Sequence, residues 1–552
     1  MSEPSKQIQA AFALYRSGEE ADAVAIAQKV LSGDPGHAEA LHLLGIAAAA
    51  AGNPSDAVVM YGKALLSAPS SSDIHADMAA AYLALGAAEK ARAHAGRAAE
   101  LDPKSGIAHY NLGNALFALG DAAAAATAFQ GALETEPGND AYWSNHLFAL
   151  NFSAEASPRD IFERNRAWGR LVEAGIGEAG AVSVAQPKRS PAAALTLAYY
   201  LPELDTHVTP RFLGPVLGAH DLDAFEVRIY GSWAGGEGKP SFLPDACIWV
   251  DVGGLSDAEL ARRMRADGVD IFIHPCTFKA RYRRILAHRP APLQMAAINL
   301  VSTTGLAATD YLLTDAFLDP PGASEQFYSE ELIRLPAFNT YSVSDAAPDV
   351  GPLPAAGAGF PTFGSFNNPA KLSPGTIRAW SGILRALPAS RLLLKHRALD
   401  DADVAARFTG MFAAAGIDAA RISLEGFTPD PAGYLGAYNR IDMALDPFPF
   451  GGGTTSYEAL WMGVPVLTIE GQTFMGRLSA ALMRRLGLDG WVAADAVGYV
   501  DAARRLAGDL NGLADLRADL RQRARQSLFN AKDFTAALEA ACRDAWRRHL
   551  NR

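Results

Sequence analysis

The sequence predicts an α + α/β chain: a solenoid of paired helices over residues 1–150, followed by two doubly wound α/β lobes. Three observations carry this. Gly, Ala and Pro recur together every 34 residues in the first third. From residue 195 onward, short apolar runs alternate with helical runs. An Ala/Gly/Pro stretch at 346–359 divides the alternating part in two.

Composition bounds the reading. With 552 residues, 49% of them hydrophobic, the chain is globular and holds more than one domain. A net charge of −11 argues against a nucleic-acid partner. The three cysteines, Cys247, Cys276 and Cys542, are too scattered for a disulfide framework or a zinc pattern. No basic segment followed by an apolar core opens the sequence, and no run of about 18 apolar residues crosses a membrane. A cytoplasmic protein without membrane contact is expected, and abundant Ala, Gly and Arg point to a GC-rich bacterial genome.

Residues 1–150 carry the tetratricopeptide (TPR) period. Gly18, Gly52, Gly86 and Gly120 mark turns inside each helix pair. Ala23, Ala57, Ala91 and Ala125 let the helices approach, and Pro35, Pro69, Pro103 and Pro137 end the second helix. Tyr142 to Asn151 closes the stack. Such an array presents a concave surface that holds a peptide or protein. Residues 151–194 form a connector, with a helix started by Ser157-Pro158 and a Gly/Ala/Ser/Pro loop after it.

In the first lobe, 195–345, strands are expected at Leu195–Leu201, Phe225–Tyr230, Cys247–Val252, Val269–Ile273, Ala296–Val301 and Tyr311–Leu313. His207 follows the first strand, at the sheet edge where parallel α/β folds bind ligands. Asp221-Leu222-Asp223 has the form of a metal-binding pair but precedes a strand. In the second lobe, 360–552, strands are expected at Thr362–Phe366, Arg391–Lys395, Ile422–Leu424, Ile441–Leu445 and Val466–Ile469. Lys395, His396 and Arg397 end one of them, either facing the cleft or forming a solvated charge run. The last helix, Phe534–Leu550, is expected to pack across both lobes.

The most informative stretch follows the strand ending at Leu445. Gly451, Gly452 and Gly453 lead through Thr454 and Thr455 into a helix. A helix start offers unpaired N–H groups and a positive dipole end, glycines admit a phosphate to the backbone, and hydroxyls add donors. Glu458, one turn in, is placed to accept from a sugar hydroxyl.

Ala444 to Thr468, with Arg477 beyond, resembles the donor-binding motif of the O-GlcNAc transferase/SPINDLY family of TPR-linked glycosyltransferases, in the frame ALD-x-x-P-x-x-GG-TT-x-x-(D/E)-ALW-x-GVP-V-T. Phe366 to Pro374 resembles that family's FN-x-x-x-K-(I/L)-x-P, Arg289 to Gln294 its RPAP-(I/V)-Q, and Asp310 to Asp315 its DY-x-x-(T/A)-D. The resemblance implies a two-lobe GT-B-like glycosyltransferase with inversion. It implies that Lys371 neutralises the leaving diphosphate, and that Asn367, Asn368, Gly452, Gly453, Thr454, Thr455 and Glu458 hold the donor, with Phe427 and Tyr434 near the base. His207 is implied as catalytic base or acceptor-positioning group. Lys371 and the helix start are expected to stand in for a metal ion, so no cofactor is expected.

The implied reaction is sugar transfer from a nucleotide sugar, UDP-GlcNAc by family default, to Ser or Thr of a protein docked on the repeats. Three departures qualify it. His274 to Arg281 and Asn299 to Gly305 differ from the family's usual segments near the sugar and acceptor. The groove position that carries asparagine in eukaryotic members reads Gln9, Leu43, Asp77 and Asn111. A flagellin-modifying transferase using another activated sugar, such as a nonulosonate, is therefore a second expectation. A catalytically inactive TPR scaffold is a third.

Overall fold

The computed structural model describes residues 3–177, 193–201, 208–233, 238–274, 279–298 and 302–551. They form two compact units, 1–153 and 154–552.

The first unit is all helix, from Glu3–Arg16 to Asp140–Phe152. The repeat residues do what their period implies. The turn glycines Gly18, Gly52, Gly86 and Gly120 all have φ between +76° and +89°, a region side chains resist. Ala23, Ala57, Ala91 and Ala125 have no solvent exposure. The carbonyls of Pro69, Pro103 and Pro137 meet a ring nitrogen six residues on, from His75, His109 and Trp143 in turn. The groove positions are used internally. Leu43 is fully buried, and Asn111, 3% exposed, donates to the Ala76 carbonyl at 2.9 Å. Asp77 pairs with His42 at 2.7 Å.

The second unit opens with the helix Pro158–Ile176, capped by a reciprocal Ser157–Asp160 box. Two all-parallel sheets follow. The first contains β1 (Leu195–Leu201), β2 (Phe225–Gly231), β3 (Ile248–Asp251), β4 (Ile271–His274), β5 (Leu293–Ala296), β6 (Tyr311–Thr314) and β7 (Glu331–Arg334), in the order β3-β2-β1-β4-β5-β6-β7. The second contains β8 (Thr362–Ser365), β9 (Arg391–Lys395), β10 (Ile422–Glu425), β11 (Met443–Leu445), β12 (Val466–Ile469) and β13 (Val492–Ala493), in the order β10-β9-β8-β11-β12-β13. Central strands are buried on both faces, as helices on either side of a parallel sheet require. No helix among the described residues is long and apolar enough to cross a membrane.

Three expectations need correction. The strand expected at Ala296–Val301 lies earlier, at Leu293–Ala296, where Gln294 is buried with its amide donating to the Leu286 and Ala308 carbonyls. β7 and β13 were not expected at all. The stretch 346–359, expected to link the lobes, has structure of its own. It contains the helix Pro354–Ala358 and is tied to the second lobe by Asp442, which accepts from Ala355 N, and by Asn439, which accepts from Gly351 N. The last helix, Ala531–Leu550, packs on the first lobe. Glu539 takes His220 at 2.8 Å, and Arg543 donates to the Ala224 carbonyl.

The chain thus passes between lobes twice, and the two passages touch. Thr340 Oγ1 donates to the Leu528 carbonyl at 3.2 Å, and the Tyr341 ring meets Phe529. A cavity of about 410 Å³ beside them is lined by Tyr341, Trp461, Arg521, Arg525 and Phe529 among others.

Candidate functional site

The segments singled out in the second lobe converge at the carboxyl ends of β8 and β11, which are neighbours in the sheet. The loop after β8 carries Asn367, Asn368 and Lys371; the loop after β11 carries the glycines and enters the helix Thr454–Trp461.

Lys371 reaches across the strand gap. Its Nζ donates to the Gly451 carbonyl at 2.8 Å and to Asn367 Oδ1 at 3.4 Å, and sits 4.5 Å above the Phe450 ring. Burial lowers its pKa from the usual 10.5 to about 8, against the opposing pull of the Asp446 carboxylate. The ammonium form still dominates at neutral pH. Asn367, nearly buried, also accepts from Thr455 Oγ1 at 3.0 Å, so it ties lysine and helix start together. Asn368 turns the other way and caps the short turn Pro369–Lys371 through Ala370 N.

Beneath the glycines lies Asp446, 1% exposed. One carboxylate oxygen accepts from Gly452 N at 2.6 Å and the other from Thr468 Oγ1 at 2.9 Å. Burial raises its pKa to about 6 despite those bonds. Ser479 Oγ adds a bond to the Gly452 carbonyl. A Cβ on Gly452 would lie 2.2 Å from Ser456 Oγ and 2.8 Å from Asp446 Oδ1, so only glycine fits there. At Gly453 the nearest atom would be Leu478 Cδ2 at 3.5 Å, ordinary contact. Thr454 and Thr455 occupy the first helical positions, whose N–H groups have no carbonyl one turn behind them. The Thr454 hydroxyl has no hydrogen-bond partner among the described residues. The result is a rigid loop with amides, a hydroxyl and an ammonium at one spot, suited to a phosphate group.

Glu458, one turn further, accepts from Tyr434 OH at 3.0 Å and from Tyr341 OH at 3.2 Å. Burial raises its pKa to about 7. Tyr341 belongs to the passage between lobes, so the first lobe's end reaches the helix Thr454–Trp461. Phe427 is 66% exposed at the end of the β10 loop, anchored by its N–H on Asp400. An exposed aromatic beside this loop is available for stacking.

His207, expected in the opposing lobe, lies outside the described residues, as does part of each divergent segment, 275–278 and 299–301. Asp221 and Asp223 form a turn: Asp221 Oδ1 accepts from the Asp223 and Ala224 amides at the start of β2. Arg477 bridges the lobes, donating to the Leu318 carbonyl and to Asp319. Sequence reasoning gave Asp446 and Tyr341 no role. A carboxylate placed directly at a strand end was the available signal for Asp446; Tyr341 had none.

A helical repeat unit joined to two parallel-sheet lobes, with an anion cradle at the strand ends of the second, defines a TPR-linked glycosyltransferase architecture. The comparisons agree. The model of glycosyl transferase family 41 matches residues 181–349 and 359–538, and the tetratricopeptide repeat model matches 14–80 and 82–145. The chain belongs to glycosyl transferase family 41.

It is similar to a probable UDP-N-acetylglucosamine–peptide N-acetylglucosaminyltransferase SPINDLY of Solanum lycopersicum, 33% identical over 427 residues, covering 76% of this chain and 45% of that protein. The counterpart of the same name in Arabidopsis thaliana is 32% identical over 423 residues, covering 75% and 46%. The chain therefore spans about half the length of these curated relatives. A mutant O-GlcNAc transferase of Thermobaculum terrenum, solved as a structure, matches with a TM-score of 0.76 and 33% identity, covering 100% of this chain and 99% of that one.

Proposed function

We propose that this chain transfers a sugar from a nucleotide-sugar donor to serine or threonine hydroxyls of a protein, with UDP-GlcNAc as the donor. The observation that carries the reading is the meeting of Lys371 with the glycine loop at 2.8 Å, since the two segments are 80 residues apart. The names borne by the SPINDLY relatives support the donor and the acceptor class, and that of the Thermobaculum terrenum enzyme supports the sugar.

In the proposed reaction the acceptor oxygen attacks the anomeric carbon, and the bond from that carbon to the diphosphate oxygen breaks on the opposite face. Inversion follows from this single displacement. The leaving diphosphate gathers negative charge, which the Lys371 ammonium and the Thr454 and Thr455 amides stabilise without reorganising. Thr455 and Asn367 fix the loop in that geometry. Glu458, with Tyr434, meets the nucleoside side, and Phe427 is placed to stack on the base. Lys371 and the helix start fill the role a divalent cation plays in metal-using transferases. The hydroxyl proton passes to a base, for which His207 is the candidate. The repeats supply the acceptor's docking surface.

Incubating the full chain with protein acceptors and a panel of nucleotide sugars, read by intact mass, tests this. A mass increment of one N-acetylhexosamine from UDP-GlcNAc is expected. Transfer only from another donor would overturn the sugar assignment. Absence of any nucleotide binding by calorimetry would overturn the enzyme.

A further inference from the structure

The cradle described above accounts for one end of a diphosphate, at the carboxyl ends of β8 and β11. The next strand outward, β9, ends in Lys395, His396 and Arg397. Alternation along the strand separates their roles. Lys395 is buried and turned toward β10, with Nζ donating to Thr428 Oγ1 at 2.7 Å and to the Gly426 carbonyl at 3.1 Å. His396, half-buried, is held differently. Its Nδ1 lies 3.1 Å from Ala398 N and accepts that amide's hydrogen. A neutral imidazole that accepts at Nδ1 carries its hydrogen at Nε2.

That Nε2–H has no protein partner among the described residues. His396 follows β9, whose neighbour β8 leads into the turn that carries Lys371. Burial, then Arg397, then Lys371 push its pKa down to about 4, so the ring stays neutral at working pH. Arg397 is exposed and makes no ion pair or hydrogen bond among the described residues. At the end of the strand next to the one that leads to Lys371 there is thus a fixed neutral N–H donor, with no acidic side chain paired to it among the described residues.

We propose that His396 Nε2–H donates to a non-bridging oxygen of the donor's diphosphate, making His396 a second diphosphate-binding residue beside Lys371. The proposal rests on the donor reading given above. Neighbouring parallel strands lie about 4.8 Å apart, so the ends of β9 and β11 are separated by roughly 10 Å, with Lys371 between them. A diphosphate with a donor at each end bridges that span, whereas a single phosphate reaches only one side. His396 therefore biases the site toward donors activated through two phosphates. A neutral donor suits this place. A second fixed cation beside Lys371 would depress the lysine further and weaken the charge that the leaving group needs.

The test is calorimetry on the full chain with UDP, UMP and inorganic pyrophosphate, comparing wild type with His396→Ala and His396→Gln. Pyrophosphate serves as the probe that does not depend on the base. His396→Ala is expected to weaken UDP and pyrophosphate about tenfold, the scale of one hydrogen bond to a charged acceptor, and to leave UMP within about twofold. His396→Gln, whose side-chain amide places an N–H near the imidazole Nε2, is expected to recover most of the loss. Equal weakening of UDP and UMP, or no weakening of either diphosphate probe, would overturn the role of His396 while leaving the donor reading intact. Failure of wild type to bind both UDP and pyrophosphate would overturn the donor reading and this proposal together. Binding of pyrophosphate alone would overturn only the choice of base, and the pyrophosphate ratio would still decide His396.

Discussion

Replacing Lys371 by methionine separates chemistry from stability. The free protein holds this ammonium in a buried setting that lowers its pKa from 10.5 to about 8. At about 1.4 kcal/mol per unit, that shift means the charged form costs the folded state about 3 kcal/mol at pH 7. The sign follows from linkage. A lysine whose folded pKa is depressed destabilises the fold below about pH 8, and the penalty fades as pH rises toward 10.5. Methionine removes the charge and keeps the apolar stem over Phe450. Against this gain stand the Gly451 carbonyl left without its donor, about 1 kcal/mol, and the lost contact of cation and ring, about 0.5–1 kcal/mol. The net is a variant more stable by about 1 kcal/mol at pH 7. Transfer should nevertheless fall two to three orders of magnitude, the usual cost of one fixed charge-stabilising donor. Initial rates by mass spectrometry and the unfolding midpoint of the C-terminal unit, with and without nucleotide, measure both. A rate within tenfold of wild type would refute the leaving-group role. A rate loss matched by a fall in midpoint would show that the lysine is merely structural.

The pKa values give further outcomes. Affinity for UDP should drop about fivefold between pH 8 and 9 as Lys371 loses its proton, and the Met variant should show no such drop in calorimetry. Glu458 titrates near pH 7 when folded instead of 4.5, so the folded state holds the extra proton and stability falls as pH rises through that window. Glu458→Gln should therefore gain about 2–3 kcal/mol relative to wild type between pH 4.5 and 8 in urea titrations, and a constant difference would refute the burial argument. Gly452→Ala should weaken UDP at least tenfold, because its Cβ would strike Ser456 and Asp446 and displace the loop; unchanged affinity would show that the loop yields. In the repeats, Ala57→Leu should destabilise the first unit by about 1–3 kcal/mol while UDP affinity holds, since Ala57 has no exposed surface.

Much of this was readable in the chain. The 34-residue period specifies the helix pairs because one small residue per pair must be buried and one turn residue must adopt positive φ, at Gly18 as at Gly120. Val466–Ile469 and Arg391–Lys395 were located to the residue, since both are apolar runs bounded by turn signals. The Leu293–Ala296 strand was misplaced because buried Gln294 breaks its apolar pattern, and only tertiary carbonyls satisfy that amide. β7 is an edge strand with a half-polar face, and β13 has only two residues, so neither rises above loop composition. Local pattern revealed the glycine loop and Lys371 separately. Their meeting, like the hydroxyls of Tyr341 and Tyr434 on Glu458, depends on contacts between distant segments, which periodicity does not encode.

The two passages between lobes lie side by side, with Thr340 on Leu528 and Tyr341 on Phe529. A body joined to another by two adjacent straps turns like a door on paired hinge pins, not like a ball in a socket. Any swing of the lobes about these straps would follow the line on which the two contacts lie. The hollow beside the straps must widen or shrink with the angle. A wedge lodged there would resist any such swing.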